Sequence, residues 1–207
     1  MWILEKLETV IGFRQYKVMK IFLTFIAFVI AFLLHKHLLY PIESYIFSAV
    51  DDTIEHASFL YLPHAIRIVA FYIIGPIALL PIFFSQCFTN LIFNDAGLTQ
   101  TVNLSFLSTF AIFIGFYLYG LIKQGNLFNI NATVDWKKII IVGFLVSIFN
   151  STLSSFYINY FEHNAIKFHA YLNFKYLTGD MIGLVLGMFI FIILLNFFKY
   201  WLRNVRN

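Results

Sequence analysis

With 207 residues, 61% of them hydrophobic and 12% charged, the chain is too apolar for a soluble domain, in which about a quarter of residues carry charge. A globular core of this length cannot hide so much apolar surface, so the protein is read as integral to a membrane. The net charge of +4 then reflects Lys and Arg near the cytoplasmic leaflet rather than nucleic-acid binding, and the lone Cys87 excludes an internal disulfide or a cysteine metal cluster.

Several apolar runs are about 20 residues long, the length a helix needs to cross roughly 30 Å of hydrocarbon. Period-2 alternation of barrel strands is absent. The expected fold is an all-α polytopic membrane helical bundle, a single domain over 1–207. It has about six transmembrane helices and a broken Gly-Pro helical hairpin.

Residues 1–17 place Trp2, Leu4, Leu7, Ile11 and Phe13 between charges and predict an amphipathic interfacial helix. No cleavable signal peptide is expected, because Glu5, Lys6, Glu8, Arg14, Lys17 and Lys20 occupy this stretch and no small-residue cleavage site precedes the first span. The first span covers 18–39 and carries the small pair Ala27 and Ala31, which permits close helix contact. His35 and His37 follow, two residues apart and therefore divergent on a helix, a weak metal pair. Residues 42–58 hold Glu43, Asp51, Asp52, Glu55 and His56 beside an apolar face and predict a helix on the outer surface. Asp52, Glu55 and His56 have metal-ligand spacing, but a solvated face is the favoured reading, as for most surface charge runs.

Residues 60–93 form two short apolar runs, 62–74 and 77–93, parted by Gly75-Pro76. Proline cannot continue helical hydrogen bonding and restricts the residue before it, so the spacing predicts two short helices at a tight turn, with a further kink at Pro81. Two full spans and a re-entrant hairpin both fit. His64, Arg67 and Gln86 lie in this stretch. A charge near membrane depth costs on the order of 2.5–3.5 kcal/mol and is usually turned inward, so function is sought here.

Residues 94–103 read as a loop, 103–122 as a span, and 123–135 as a polar loop. The span at 136–160 opens on the interfacial anchor Trp136-Lys137-Lys138 and carries Ser147, Asn150, Ser151, Ser154 and Ser155. Such a polar stripe either bonds neighbouring helices or lines a cavity. Residues 161–176 read as polar and aromatic. The last span, 177–199, opens on Thr178-Gly179-Asp180, and Gly179, Gly183 and Gly187 form a ridge for close packing. Asp180 in a first turn suits the helix dipole; contact with a ligand is the other reading. Arg67 and Asp180 are expected at similar depth in one polar cluster with His64 and Asn150 or Ser154. Against this stands an Arg67 that snorkels to the headgroups.

Lys and Arg flank the first span, the 123–138 connection and the C-terminus, while 41–60 and 94–102 contain none. The positive-inside rule then puts both termini in the cytoplasm of a bacterial inner membrane, with six crossings if 60–93 counts as two and four if it is re-entrant. Walker A, Rossmann, HExxH, GxSxG and CxxC motifs are absent. Without an acid–base pair or metal set, no enzyme activity, catalytic residue, metal or cofactor is expected.

Leu60–Phe84, the Asn/Ser-bearing span and Thr178–Phe189 together resemble the MASE1 family of bacterial integral-membrane sensor domains over about residues 55–195. Pro63, Gly75 and Pro81, then Gly179, Asp180 and Gly183, stand at matching positions. The resemblance implies a sensing role whose signal passes to a separate membrane or cytoplasmic protein, since no kinase, cyclase or phosphodiesterase module is present. Two other readings remain open. One is the substrate-binding subunit of an energy-coupling-factor vitamin transporter, to which Ala27, Ala31 and the Gly-Pro turn also conform. The other is a structural subunit of a larger membrane complex. The expected partners are the lipid bilayer, a protein, and a small-molecule ligand held by His64, Arg67, Gln86, Asn150, Ser154 and Asp180, with no nucleic acid.

Overall fold

The computed structural model describes residues 13–47, 58–94, 97–123, 135–161 and 169–204. Those residues form helices and short connections, with no strand among them. The helices are α1 (Phe13–Leu34), α2 (Tyr40–Phe47), α3 (Pro63–Ile74), α4 (Leu79–Phe93), α5 (Leu98–Lys123), α6 (Trp136–Phe161) and α7 (His169–Asn204). Five stretches are long and apolar enough to cross a membrane: Val18–Ile46, Pro63–Phe93, Leu98–Ile122, Trp136–Ile158 and Tyr171–Phe197. The chain is a multi-pass membrane protein. Much of residues 1–17, the acidic residues Asp51, Asp52, Glu55 and His56, and the 124–134 connection lie outside the described residues.

The helices turn apolar side chains outward and bury polar ones beside an apolar core. On α5, Phe106, Phe110, Phe113 and Tyr117 are exposed, while Thr101, Ser105 and Ser108 are buried. That inversion suits lipid, which solvates aromatic side chains but not hydroxyls. Ile68, Phe71, Ile82, Ile112, Phe116, Val142, Val146 and Leu184 make the apolar core.

Several expected boundaries shift. The first span does not stop at Pro41. A π turn over His35–Leu39, with the Tyr40 N–H bonding His35 O, carries the chain into α2. A proline ring clashes with the carbonyl four residues earlier; the wider π turn just before Pro41 re-registers the ladder there. The Gly75 break is present: α3 ends at Ile74 and a 3-10 turn spans Gly75–Ala78. Gly75 has φ 71, a left-handed conformation that side chains with a Cβ rarely adopt. Pro81 brings no further break, because it falls in the first turn of α4, where its missing N–H has no helical partner to lose. Helix α5 begins at Leu98, inside the expected loop.

The largest correction concerns the last helix. It starts at His169, not near Thr178, so Asp180 sits mid-helix rather than in a first turn. The helix dipole therefore does not account for the Asp180 carboxylate.

Residues 58–62 form a strap between α2 and α7. The Phe59 N–H donates to Glu43 Oε1 at 2.6 Å, and the Ser58 hydroxyl donates to Glu43 Oε2. Tyr61 N–H donates to Gly179 O at 2.9 Å. Lys175 Nζ lies 5.0 Å over the Phe59 ring. Glu43→Gln keeps the shape of this clasp and removes its charge. The expected result is a loss of about 1 kcal/mol, because hydrogen bonds to a charged acceptor are the stronger kind. Faster amide exchange confined to peptides covering 58–62 is the measurement that checks it.

Both ends of the stretch between the strap and α5 meet the same part of α1 and its π turn. The Tyr61 ring packs edge-on to His35 at 5.3 Å, and Lys36 Nζ donates to Asn94 Oδ1 at 3.2 Å. Far from both, Tyr72 OH accepts the Asp135 N–H at the start of α6.

Candidate functional site

The start of α3 is where polar chemistry enters the bundle. Pro63 fixes the first helical turn, and one turn later Arg67 projects to the interior. Its side chain is only 2% exposed, so it does not snorkel outward. Arg67 Nη1 donates to the Ser108 hydroxyl of α5. Nη2 lies 3.8 Å from Asp180 Oδ1 of α7. The guanidinium also sits 5.0 Å from the Tyr61 ring centroid, a cation–π distance that adds attraction in a dry site.

Asp180 is fixed by other partners. Asn150 Nδ2 of α6 donates to Asp180 Oδ2 at 2.8 Å, and His64 Nδ1 lies 3.3 Å from the same oxygen. His64 Nε2 is 3.2 Å from the Ser147 hydroxyl, which itself donates to Gly143 O. A chain of polar contacts thus runs from α5 through Arg67 and Asp180 to α6. All its members are at least nine-tenths buried. Buried charges persist in such a setting only when paired and hydrogen-bonded.

Beside this chain lies a cavity of about 660 Å³, within the usual range for small-molecule sites. Arg67, Gln86, Asn150, Ser154 and Asp180 line it, together with Thr101, Ser105 and Ser108 along one face of α5. Gln86 Nε2 donates to Ser108 Oγ at 3.1 Å, so α4 and α5 share one polar wall. Lys36, Asn90, Asn94 and Gln100 line the other end, and Asn94 is exposed there.

Of the residues singled out from the sequence, Arg67, Gln86, Asn150, Ser154 and Asp180 share this cavity. His64 does not line it. The ring is fully buried between Asp180 and Ser147, with Nδ1 3.3 Å from Asp180 Oδ2 and Nε2 3.2 Å from the Ser147 hydroxyl. Sequence reasoning missed the α5 hydroxyls, Lys36 and Tyr61. It also read His35 as interfacial, whereas His35 is buried and lines the cavity while His37 is exposed. The pair therefore diverges, and no group of His, Cys, Asp or Glu that could hold a metal occurs among the described residues. No family model, curated protein or solved structure matches this chain.

Proposed function

We propose that this protein is a membrane-embedded binding protein for a small polar molecule and passes its occupancy to a separate protein partner, as the resemblance to MASE1 domains implies. One observation supports the reading above all: a ligand-sized cavity whose wall carries Arg67, Asp180 and a row of hydroxyls and amides inside apolar helices. Polar groups at that depth are expensive and mark ligand or ion paths, and the hydroxyls of Thr101 and Ser105 line the cavity without bonding a neighbouring helix.

In this reading Pro63–Phe93 counts as two crossings. The contacts of Tyr61 with His35 and of Asn94 with Lys36 bring both ends of the segment to one region, as two crossings and a re-entrant hairpin alike require, and either keeps the number of crossings even. Six crossings then return the chain to its starting side, and the distribution of Lys and Arg favours the cytoplasm of a bacterial inner membrane for both termini. The cavity end at Lys36 and Asn94 faces outward.

Purification from native membranes with a mild detergent tests this. A copurified small molecule, seen by native mass spectrometry and lost on filling the mouth with Gln100→Trp, is the expected result. A protein that is empty and stabilised by no member of a polar metabolite panel refutes the reading. Proteins captured alongside separate the classes. A signalling protein supports a sensor, an ATPase module supports the vitamin-transporter alternative, and extraction only within a large assembly supports a structural subunit.

A further inference from the structure

We infer that the group received at the floor of the cavity is an oxyanion, a carboxylate or phosphate whose oxygens take the unused donors of Arg67. The inference rests on the binding reading above and adds the chemical class of the ligand. A guanidinium has five N–H donors and no acceptor. The hydrogen bond made by Arg67 is the one from Nη1 to Ser108. Nη2 stays 3.8 Å from Asp180, beyond hydrogen-bonding distance, and Nε has no partner.

Of the nearby acceptors among the described residues, Asp180 Oδ1 makes no hydrogen bond, while two others are engaged. Asp180 Oδ2 accepts from Asn150 and faces His64, and Ser108 Oγ accepts from both Arg67 and Gln86. Arg67 therefore keeps Nε and Nη2 without a hydrogen bond against one open oxygen of Asp180. A buried donor without a partner is costly, so a site of this kind is completed by a guest rich in acceptor oxygens. Carboxylates and phosphates meet that need and match the planar fork of arginine.

Charge and shape point the same way. Among the described lining residues the cations Lys36 and Arg67 stand against one carboxylate, Asp180, leaving one positive charge over with the histidine neutral. The Tyr61 ring covers one face of the guanidinium, so an oxyanion is directed to its edge, where two parallel hydrogen bonds form.

The source is either a soluble acid or the headgroup of an anionic lipid, and thermal unfolding of the detergent-purified protein separates them. One arm titrates acid–amide pairs of the same skeleton, benzoate with benzamide, nicotinate with nicotinamide and glutarate with glutaramide, and adds inorganic phosphate. The other titrates phosphatidylglycerol against phosphatidylcholine in mixed micelles. The expected result is stabilisation by acids, by phosphate or by the anionic lipid, but not by the amides or phosphatidylcholine. Arg67→Gln should weaken that binding by about tenfold or more, as loss of a charge-assisted pair does. Lys36→Gln, at the partly exposed end, should weaken it less and leave the fold intact. If the amides or phosphatidylcholine stabilise as well as their charged counterparts, or if binding survives Arg67→Gln, the oxyanion class is wrong while the binding reading stands. If neither acids, amides nor lipids stabilise the protein, the oxyanion class fails, and native mass spectrometry with the metabolite panel decides the binding reading. Should Arg67→Gln not fold, the acid–amide comparison on the unaltered chain decides alone.

Discussion

Asp180→Asn is expected to destabilise the protein by about 3 kcal/mol, as removal of one partner from a buried ion pair does. The substitution keeps the side-chain shape and an oxygen for Asn150, so little packing is lost. What changes is charge. Unit charges about 4 Å apart interact by about 4 kcal/mol at an effective dielectric near 20, and Arg67 Nη2 lies 3.8 Å from Asp180 Oδ1. Losing the hydrogen bond alone is a smaller matter. Asn150→Leu should cost about 0.6 kcal/mol, the average for helix–helix hydrogen bonds in membrane proteins. Arg67→Gln leaves the opposite charge unpaired and is expected to be as harmful as Asp180→Asn. In the double variant neither charge remains, so its loss should fall short of the sum by about 1–3 kcal/mol. Thermal unfolding in detergent measures all four proteins. Simple additivity would mean that the two groups do not sense one another, and the polar chain at the cavity floor would have to be redrawn.

Some of this arrangement was legible because the chemistry is local or severe. A Gly-Pro step ends a helix by its own backbone geometry, and the break appears at Gly75. Arg67 and Asp180 stand out in the sequence because charge at membrane depth is expensive wherever it falls. The start of α7 was not legible. Residues 169–176 (HAYLNFKY) are polar and aromatic enough to read as loop, yet Leu172 and Lys175 are buried against the bundle and hold the helix together there. Long-range packing overrides local pattern at such a boundary. The α5 stripe of Thr101, Ser105 and Ser108 has one-face spacing visible in the sequence. Spacing alone does not single it out, because most hydroxyls in such helices bond their own backbone, as Thr89, Thr109 and Ser147 do here. Only the fold shows which stripe faces a cavity and which faces lipid. The π turn before Pro41 was hidden for a related reason: a proline marks the ladder bond that is lost, not how the chain absorbs the loss.

Gly183→Ala should cost about 2–3 kcal/mol and, unlike an ordinary core substitution, should also weaken ligand binding. A Cβ at 183 would meet the carbonyl O and C of Tyr61 and the N of Leu62, all of them backbone atoms. A side chain can rotate away from a new methyl; a strap tied at both ends cannot, and overpacking of this kind costs typically 1–3 kcal/mol. Residue 179 presents the same problem, since a Cβ there would meet Ser58 O. The strap is held on the α7 side by the Tyr61 N–H to Gly179 O bond and at Phe59 by Glu43. Relief must therefore come from α7 moving away, which draws Asp180 from Arg67 and lifts Tyr61 off the guanidinium. Gly97 supplies the control: a Cβ there meets nothing within 4 Å, so Gly97→Ala should leave the unfolding midpoint where it was. Measured side by side, the two alanines should differ in midpoint and in the affinity of whichever ligand stabilises the unaltered protein. Equal behaviour would show that α7 does not press on the strap, and that the glycine ridge serves some purpose other than seating residues 58–62 above the polar site.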